Sequence, residues 1–228
     1  MKINKIGEFV TVLLGALALL VSTTVAADDA ADAKEVVAKS QITLNNFVSD
    51  PDMKWARDHL KNAKGVLLVP TYAKAGFIIG GAGGQGVLIT RDKSGKWAGP
   101  AFYYMGAASV GLQAGVDVAE AMLMIMSDKG IDALLSGDLK LGADARVAAG
   151  PVGAGAQAAT ADVLGYSRSK GLFAGLAFDG SVINPKEGHN KAFYGKAVTP
   201  TDILIRRNVS NPAGQALVNA VAKAAGDK

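Results

Sequence analysis

Glycine is concentrated in one part of this chain, and this distribution constrains the fold more than any other feature. Of the 28 glycines, only Gly7 and Gly15 precede Gly65. A glycine in a helix interior costs about 1 kcal/mol relative to alanine, so the dense run Gly80–Gly86 excludes a helix. Because β-branched and aromatic residues separate the glycines, the chain from Val66 to about Phe178 is predicted to form mainly strands and tight turns.

The glycine signature appears twice, in residues 74–91 and 166–184. Each copy has a lysine shortly before a first glycine, a second glycine four positions later, and a valine seven positions beyond that. The matching glycines and valines are Gly76, Gly80 and Val87 in the first copy, and Gly171, Gly175 and Val182 in the second. Two explanations stay open, an internal duplication and a coincidence of a few positions.

Helical patterns flank the glycine-rich region. Apolar residues at three- and four-residue spacing predict a helix over residues 30–48, and Pro51 and Asp52 are typical of the start of a second helix over residues 53–63. Asn211 and Pro212 predict the start of a final amphipathic helix. The predicted fold class is therefore α+β, with a glycine-rich, curved, antiparallel and barrel-like β-sheet and flanking N- and C-terminal helices.

Three shorter segments within the core carry local predictions. Asp92–Gly95 is typical of a hairpin turn, and Ser127–Ser136 is typical of a short capped helix. Met122–Met126 fits a helix or a buried strand equally well, because the two look alike over such a length.

The first residues have the layout of a secretory signal peptide. Lys2 and Lys5 precede the apolar run Phe9–Val21, and small residues follow as far as Ala27. The run of ~13 residues is shorter than the ~20 that a membrane-spanning helix needs, although an uncleaved anchor is an alternative. We expect residues 1–26 to be a signal peptide, 27–64 an N-terminal helical segment, and 65–228 a β-rich core with the C-terminal helix. The mature protein would then be periplasmic or secreted, in solution or peripherally attached to a membrane.

Composition excludes several classes of site and partner. The chain has no cysteine, so disulfides, zinc thiolate sites and cysteine nucleophiles are all excluded. The formal net charge of +4 permits attraction to anionic lipid surfaces. Aromatic residues make up only 6% of the chain and do not alternate with a basic segment, so no nucleic-acid partner is expected.

Two motifs that suggest catalysis or nucleotide binding are weak in this context. The run Gly80–Gly86 leads into a predicted strand, whereas a phosphate-binding loop leads into a helix, so we interpret the run as a bulged β-turn. Ser167 and Lys170 have the spacing of a serine–lysine pair, but residues three apart on a strand point to opposite faces.

The remaining polar residues offer no complete active or metal site. His59 is expected to be solvated, and His189 with Glu187 would supply only two ligands. Asp117 and Glu120 are interpreted as surface charges. The protein is therefore predicted to be non-enzymatic, with no cofactor and no bound metal.

Basic residues give the clearest functional signal. Lys54, Arg57, Lys61 and Lys64 recur at the spacing that places side chains on one face of the second helix, and Trp55 would supply an interfacial aromatic side chain beside it. The alternative is an ordinary solvated helix face neutralised by nearby aspartates. Further basic candidates lie elsewhere, at Arg91, Lys93, Lys96, Arg168, Lys170, Arg206 and Arg207.

The ordered set of these residues resembles the SYLF domain, a lipid-binding module whose yeast members also bind actin. The resemblance runs from the mid-forties to the C-terminus. It is carried by Ala63–Val66, Pro70, Lys74, Gly76, Phe77, Gly80, Gly81, Gly84, Gly86, Val87, Arg91, Trp97, Pro100, Phe102, Ser109, Gly111, Gln113, Gly115, Ala149–Pro151, Tyr166, Ser167, Ser169–Gly175, Asn190 and Phe193–Gly195.

The resemblance and the export signal together predict a function. The chain would be a non-enzymatic lipid-binding module of a bacterial envelope that recognises anionic phospholipid headgroups or a membrane surface through Lys54, Arg57, Lys61, Lys64, Arg168 and Lys170. Eukaryotic relatives bind phosphoinositides, which an exported protein would not normally meet. The alternative is a structural or protein-interaction module of the periplasm that binds an envelope protein or a second copy of itself.

Overall fold

The computed structural model describes residues 28–76, 79–110, 115–149, 160–169, 172–174 and 178–227. The first helix, α1, covers residues 28–49 of this part of the chain. A 3₁₀ turn, Pro51–Met53, follows, and its start is capped by the Asp50 carboxylate, which accepts a hydrogen bond from the backbone N of Asp52 at 2.9 Å. Helix α2, Lys54–Leu60, ends three residues earlier than predicted.

Nine strands of the described residues form one sheet. Their bounds are β1 Gly65–Gly76, β2 Ile79–Arg91, β3 Trp97–Val110, β4 Gly115–Ile125, β5 Leu139–Lys140, β6 Val147–Ala149, β7 Val163–Ser169, β8 Leu172–Ala174 and β9 Val182–Pro185. The strand order is β5-β9-β3-β2-β1-β4-β7-β6, with β8 paired to β7. All pairs are antiparallel except β6 with β7. The predicted α+β fold with a curled sheet is confirmed.

The remaining helices begin and end where the local sequence requires. They are α3 Asp128–Ser136, α4 Glu187–Tyr194, a short π-helix Asp202–Arg206, and α5 Pro212–Ala224. The Ser127 hydroxyl accepts a hydrogen bond from the backbone N of Gly130 at 3.1 Å, and Asn211 caps α5 in the same way through the backbone N of Ala213 at 2.9 Å. The helices predicted from Ser127 and Asn211 are therefore confirmed.

The central strands are buried on both faces. Val66 and Leu68 of β1 point into a core beneath α1, α2 and α5, while Leu67 and Val69 point into a second core that includes α3. We call the first of these the helix face of the sheet. Burial on both faces explains why the strands read as continuous apolar runs. The same alternation resolves the ambiguous Met122–Met126 segment as a strand, since Met122–Ile125 is the end of β4 and Met126 follows it directly.

The interpretation of Gly80–Gly86 as a turn is wrong, because the whole run lies inside β2 and is paired with strands on both sides. The irregularity is instead a bulge in β1, between Leu68 and Thr71. It brings the β1 backbone close to β2, so that a Cβ atom added at Gly84 would lie 2.2 Å from the carbonyl oxygen of Thr71. The glycines are needed for this close approach between strands rather than for a turn.

The two glycine-signature segments each span a connection between antiparallel strands, β1 to β2 and β7 to β8. Gly171 and Gly175 lie outside the described residues. The predicted hairpin turn at Asp92–Gly95 is confirmed, since the backbone N of Gly95 donates to the carbonyl oxygen of Asp92 at 3.0 Å.

The predicted signal peptide, residues 1–26, lies outside the described residues, so the three segments proposed for the chain stay predictions. None of the helices in the described part of the chain combines the length and the apolar character that a membrane span requires.

Candidate functional site

Lys54 and Lys61 lie on the exposed surface of α2 and of the turn after it, and both contact one carboxylate. The ammonium groups are 2.6 Å and 3.4 Å from the Asp58 carboxylate oxygens. The hydrogen bond from Lys54 lowers the pKa of Asp58 below its ordinary value. The lysine side chains are 78% and 60% exposed, so they remain accessible to an anionic ligand.

Arg57 has a structural role that the helical spacing did not reveal. Its guanidinium donates hydrogen bonds to the carbonyl oxygens of Val48, Asp50 and Pro51, at the corner between α1 and α2. The Val48 carbonyl belongs to the last turn of α1, where helix oxygens lack intrahelical partners, and the other two carbonyls follow that turn. Arg57 therefore fixes the corner, and is less available for a ligand than its sequence position indicates.

The surroundings of the Trp55 and His59 side chains also differ from those predicted. The Trp55 ring packs 5.7 Å from the Tyr166 ring, against the core of the helix face, rather than standing out as an interfacial side chain. The His59 ring lies 3.6 Å from the Trp55 ring, and its Nδ1 is 2.9 Å from the Trp55 carbonyl oxygen. The aromatic side chains of α2 thus contribute to packing.

The prediction that Lys64 shares the face of α2 is wrong, because α2 has ended at Leu60. The backbone N of Lys64 instead donates to the carbonyl oxygen of Ile125 at 2.8 Å, which places Lys64 at the start of the sheet. Its ammonium group lies 2.6 Å from the Asp128 carboxylate.

Basic residues from separate parts of the chain meet at this end of the sheet. The Arg91 guanidinium donates to the carbonyl oxygen of Lys61 at 2.9 Å, and the Arg207 guanidinium donates to the carbonyl oxygen of Lys96 at 2.8 Å. We call this surface the basic end. It comprises Lys54, Lys61, Lys64, Arg91, Lys93, Lys96 and Arg207.

Four carboxylates partly neutralise the basic end. Asp58, Asp92, Asp128 and Asp227 each form an ion pair with one or two of the seven basic side chains. A hydrogen bond from the Ser94 hydroxyl is the main cause that lowers the pKa of Asp92 to about 2, so this carboxylate stays ionised. Lys93 and Lys96 are exposed, and the described residues form no ion pair with either. The basic end therefore keeps an excess of positive charge.

Arg168 lies apart from the basic end, on β7. Its guanidinium is 3.2 Å from the Glu120 carboxylate of β4, which also accepts hydrogen bonds from Thr43 at 2.9 Å and Asn46 at 3.0 Å. Thr43 and Asn46 belong to α1, so this cluster ties the helix to the sheet. Glu120 is therefore not a simple surface charge, and Lys170, the other predicted ligand, lies outside the described residues.

The residues considered for catalysis do not form a site in the described structure. Ser167 is buried within β7, and Lys170 is outside the described residues. His189 is buried beside Phe102, and its carboxylate neighbour is Asp29 of α1, at 3.4 Å, rather than Glu187. Within the described ranges, no group of three or more histidine, aspartate or glutamate side chains could hold a metal ion.

A groove of about 760 Å³ lies on the helix face, beside α1. Asp32, Glu35, Val36 and Lys39 of α1 form its wall, and strands β1, β2 and β3 form its floor. The Tyr104 ring lies on this floor, because a Cβ atom at Gly83 would be 2.4 Å from the tyrosine oxygen and one at Gly106 would be 2.8 Å from a ring carbon. Sequence reasoning missed the groove, although the spacing of small residues in β1 and β2 was visible.

Comparison with known proteins gives the family. A profile of the Ysc84 family, described as Las17-binding protein actin regulator, matches residues 106–224. The chain is 34% identical over 199 residues to Protein YSC84 of Saccharomyces cerevisiae, which covers 81% of this chain and 42% of the yeast protein.

Two further relatives extend the comparison. The chain is 35% identical over 176 residues to LAS seventeen-binding protein 3 of Saccharomyces cerevisiae, covering 74% of this chain and 38% of that protein. It is 30% identical over 171 residues to SH3 domain-containing YSC84-like protein 1 of Homo sapiens, covering 72% and 49%.

The chain thus spans about two fifths to one half of the length of these relatives. The family description names a regulator that binds another protein and no enzymatic activity. The matches span both the sheet and the C-terminal helix, and this chain belongs to the Ysc84 family, whose shared module is the SYLF domain.

Proposed function

We propose that this protein is a lipid-binding module that recognises anionic phospholipid headgroups through its basic end. The observation that carries the proposal is the convergence of seven basic side chains from α2 and the turn after it, the start of β1, the β2–β3 hairpin and the residue after the π-helix. Each basic side chain near an anionic membrane contributes roughly 1 kcal/mol, and the effect falls off within a Debye length. Several such side chains on one surface therefore support reversible attachment.

Lys93 and Lys96 are the central residues of this proposal. They stand on the hairpin between β2 and β3, and the Asp92 carboxylate, which is held by Ser94 and Arg207, shapes that turn. The hairpin can therefore present two ammonium groups to a lipid surface without rearranging the sheet.

Vesicle flotation tests the proposal. The triple variant Lys61→Glu, Lys93→Glu, Lys96→Glu should bind phosphatidylglycerol-containing vesicles at least tenfold more weakly than the wild type at low salt. The matched control is Lys140→Glu, Lys191→Glu, Lys196→Glu, which makes the same charge change at exposed lysines elsewhere. Arg57 is left intact because its loss would disturb the α1–α2 corner. Equal binding by both triple variants would refute the assignment of the basic end.

We also propose that residues 1–26 are removed on export, so that the module acts in the periplasm or outside the cell, in solution or peripherally on a membrane. The basis is the arrangement of Lys2, Lys5, the apolar run and the small residues before Asp28. N-terminal sequencing of the envelope fraction should give Ala27 or Asp28 as the first residue. An intact Met1 on membrane-embedded protein would contradict removal.

A protein-interaction module is the second candidate function. Its support is that one relative is named LAS seventeen-binding protein 3, and that the described helices leave a groove on the helix face beside α1. The partner would be an envelope protein or a second copy of the chain. Failure of the wild type to float with any vesicle, anionic or zwitterionic, would give this candidate the lead.

A further inference from the structure

At the basic end, Arg91 and Trp97 hold the carboxylate of Asp227, which lies just after α5. The Trp97 Nε1 donates to the Asp227 Oδ2 at 2.6 Å, and the Arg91 Nη1 lies 3.3 Å and 3.2 Å from the two carboxylate oxygens. The hydrogen bond from Trp97 is the main cause that lowers the pKa of Asp227 below its ordinary value. The two donors therefore form a site for an oxyanion, and in this structure the anion is part of the chain itself.

Contacts that do not involve Asp227 hold the two donors in place. The Arg91 guanidinium donates through its other terminal nitrogen to the carbonyl oxygen of Lys61 at 2.9 Å. Its central carbon lies 5.5 Å from the centre of the Trp97 ring, as in a cation–π pair. The Trp97 ring is partly buried against the core of the helix face. We therefore expect the site to keep its shape when the carboxylate leaves.

The attachment of Asp227 to the protein allows its carboxylate to leave. The backbone N of Asp227 donates to the carbonyl oxygen of Ala222 at 3.0 Å, and that of Gly226 donates to the carbonyl oxygen of Lys223 at 3.1 Å. These are the two hydrogen bonds of a Schellman motif, with Gly226 at a φ of +86°, so α5 itself holds the backbone of this turn. Rotation about the Cα–Cβ bond of Asp227 would free the carboxylate without unwinding the helix. The side chain is already 33% exposed, so water can solvate it there.

The other three carboxylates of the basic end are less suited to such an exchange. Asp92 helps to form the hairpin turn, because it accepts hydrogen bonds from the Ser94 hydroxyl and from two backbone N atoms. Asp58 and Asp128 form ion pairs with exposed lysine side chains, which are long and flexible and do not define a site. Of these four carboxylates, Asp227 is the one whose departure would uncover two fixed donors without breaking a turn.

A phosphate group has the chemistry that fits these donors. Its oxygens accept hydrogen bonds as carboxylate oxygens do, and guanidinium–phosphate hydrogen bonds are strengthened by the charges of both groups. The backbone N of Arg91 donates to the carbonyl oxygen of Lys64 at 2.8 Å, so both Lys61 and Lys64 adjoin the site. Their side chains are exposed, and their positive charges would attract the same anion.

We propose that Arg91 and Trp97 bind a phosphate group, supplied by an anionic lipid headgroup, and that the Asp227 carboxylate closes this site in the free protein. The inference rests on the proposed lipid-binding function, and it adds a defined phosphate position and a residue that competes for it. A carboxylate on the same chain is always close to the donors, so a ligand must displace it. Removal of the carboxylate should therefore strengthen binding.

Vesicle flotation of matched variants tests the proposal. Asp227→Ala and Asp128→Ala each remove one carboxylate from the basic end, so both should strengthen binding to phosphatidylglycerol vesicles through charge alone. Asp227→Ala should strengthen it at least fivefold more than Asp128→Ala does. In a Trp97→Phe background, which removes the indole donor without changing the charge, this additional gain should disappear. Equal gains for the two variants, or an additional gain that survives Trp97→Phe, would overturn the proposal and leave lipid binding by the basic end intact.

The indole N–H signals in NMR spectra of the protein give a second test that needs no membrane. Trp55 and Trp97 are the two tryptophans of the chain, and Trp97→Phe assigns their signals. Glycerophosphoglycerol, the soluble headgroup of phosphatidylglycerol, should shift the Trp97 signal and leave the Trp55 signal in place. Asp227→Asn should show this shift at a concentration at least fivefold lower than the wild type needs.

The two tests separate the phosphate site from the lipid function. If the Trp97 signal did not shift in either protein, the phosphate site would be refuted, whatever the vesicles show. If it shifted in a protein that floats with no vesicle, the site would bind a phosphate compound from solution, and the lipid-binding function would be refuted instead.

Discussion

The Asn190 side chain forms two hydrogen bonds with the backbone of Phe102. Its Oδ1 accepts from the Phe102 N at 2.9 Å, and its Nδ2 donates to the Phe102 carbonyl oxygen at 3.2 Å. Strand β9 pairs with β3 only over residues 103–106, so the amide takes the place of a neighbouring strand just beyond that pairing. Through this contact, α4 is fixed to the outer edge of β3.

Replacing Asn190 with alanine should therefore destabilise the protein. The change leaves the Phe102 N–H without its partner in a buried environment, and each such group costs about 1–3 kcal/mol. We expect the free energy of unfolding to fall by about 2 kcal/mol or more, measured by urea denaturation. Asn45→Ala, at an exposed position of α1, is the control and should change stability by no more than about 0.5 kcal/mol. Equal stabilities would show that the amide pair is dispensable.

The glycines opposite the β1 bulge should be sensitive to a single methyl group. A Cβ atom at Gly84 would lie 2.2 Å from the Thr71 carbonyl oxygen, and one at Gly86 would lie 2.3 Å from that of Leu68. Because both obstacles are backbone atoms, the strands must separate, and Gly84→Ala or Gly86→Ala should cost about 1–3 kcal/mol of stability.

Gly81→Ala is the matched control for these two variants. The nearest atom to its added Cβ would be the Ala107 carbonyl oxygen at 3.7 Å, which is an ordinary contact. Chemical denaturation of the three variants compares them directly. If Gly81→Ala lost as much stability as Gly84→Ala, replacing any glycine of the strand would be destabilising, and the close approach at the bulge would not be the cause.

Stability should fall in mildly acidic solution because of His189. Burial, assisted by the nearby charge of Lys186, lowers the pKa of His189 below its ordinary value, while Asp29 and Asp32 of α1 act in the opposite direction. A histidine with a lowered pKa in the folded state is neutral there while the unfolded chain takes up a proton. The neutral His189 side chain therefore contributes its full stability above about pH 6.5, the ordinary pKa that histidine has in the unfolded chain. This contribution is lost as the pH falls through the lower pKa of His189 in the folded protein.

This dependence can be isolated by comparing histidine variants. Urea midpoints at pH 7.5 and 5.5 should fall less for His189→Leu than for the wild type, because the variant has no proton to gain at that position. His59→Gln, at the only other histidine of the chain, should keep the wild-type dependence. If the urea midpoint of His189→Leu fell as much between pH 7.5 and 5.5 as that of the wild type, protonation of carboxylates would be the cause of the acid sensitivity.

The elements of this fold were largely predictable because their signals are local. Apolar spacing and the caps Ser127 and Asn211 indicated the helices, and glycine density indicated the strands. Two errors arose where a contact distant in sequence decides the outcome. The run Gly80–Gly86 looked like a turn because the bulge that requires it lies in another strand, and Glu120 looked solvated because its partners are 48 to 77 residues away.

The candidate site was predicted less well for the same reason. Helical spacing correctly placed Lys54 on an exposed helix, but it also placed Lys61 on that helix, whereas Lys61 lies in the turn just after it. The spacing could not show that Arg57 binds carbonyl oxygens at a corner. The basic end is assembled from α2, a hairpin and the segment containing Arg207, and no sequence pattern links these. The groove depends on which residues pair across four strands, and pairing register cannot be read from one strand.

Arg168 has a structural role in the sheet, whereas Lys93 is proposed to bind lipid, so variants of the two residues should have different effects. Its side chain and that of Glu120 are 30% and 21% exposed, so removing the guanidinium leaves a half-buried carboxylate with less compensation. We expect Arg168→Ala to lower the free energy of unfolding by about 1–3 kcal/mol. Vesicle binding per folded molecule should be unchanged. Lys93→Glu should do the reverse, because that side chain is exposed and forms no ion pair with the described residues. Denaturation and flotation of the two variants together give the measurement. If Arg168→Ala kept its stability and lost vesicle binding, the lipid-binding surface would lie on β7 rather than at the basic end.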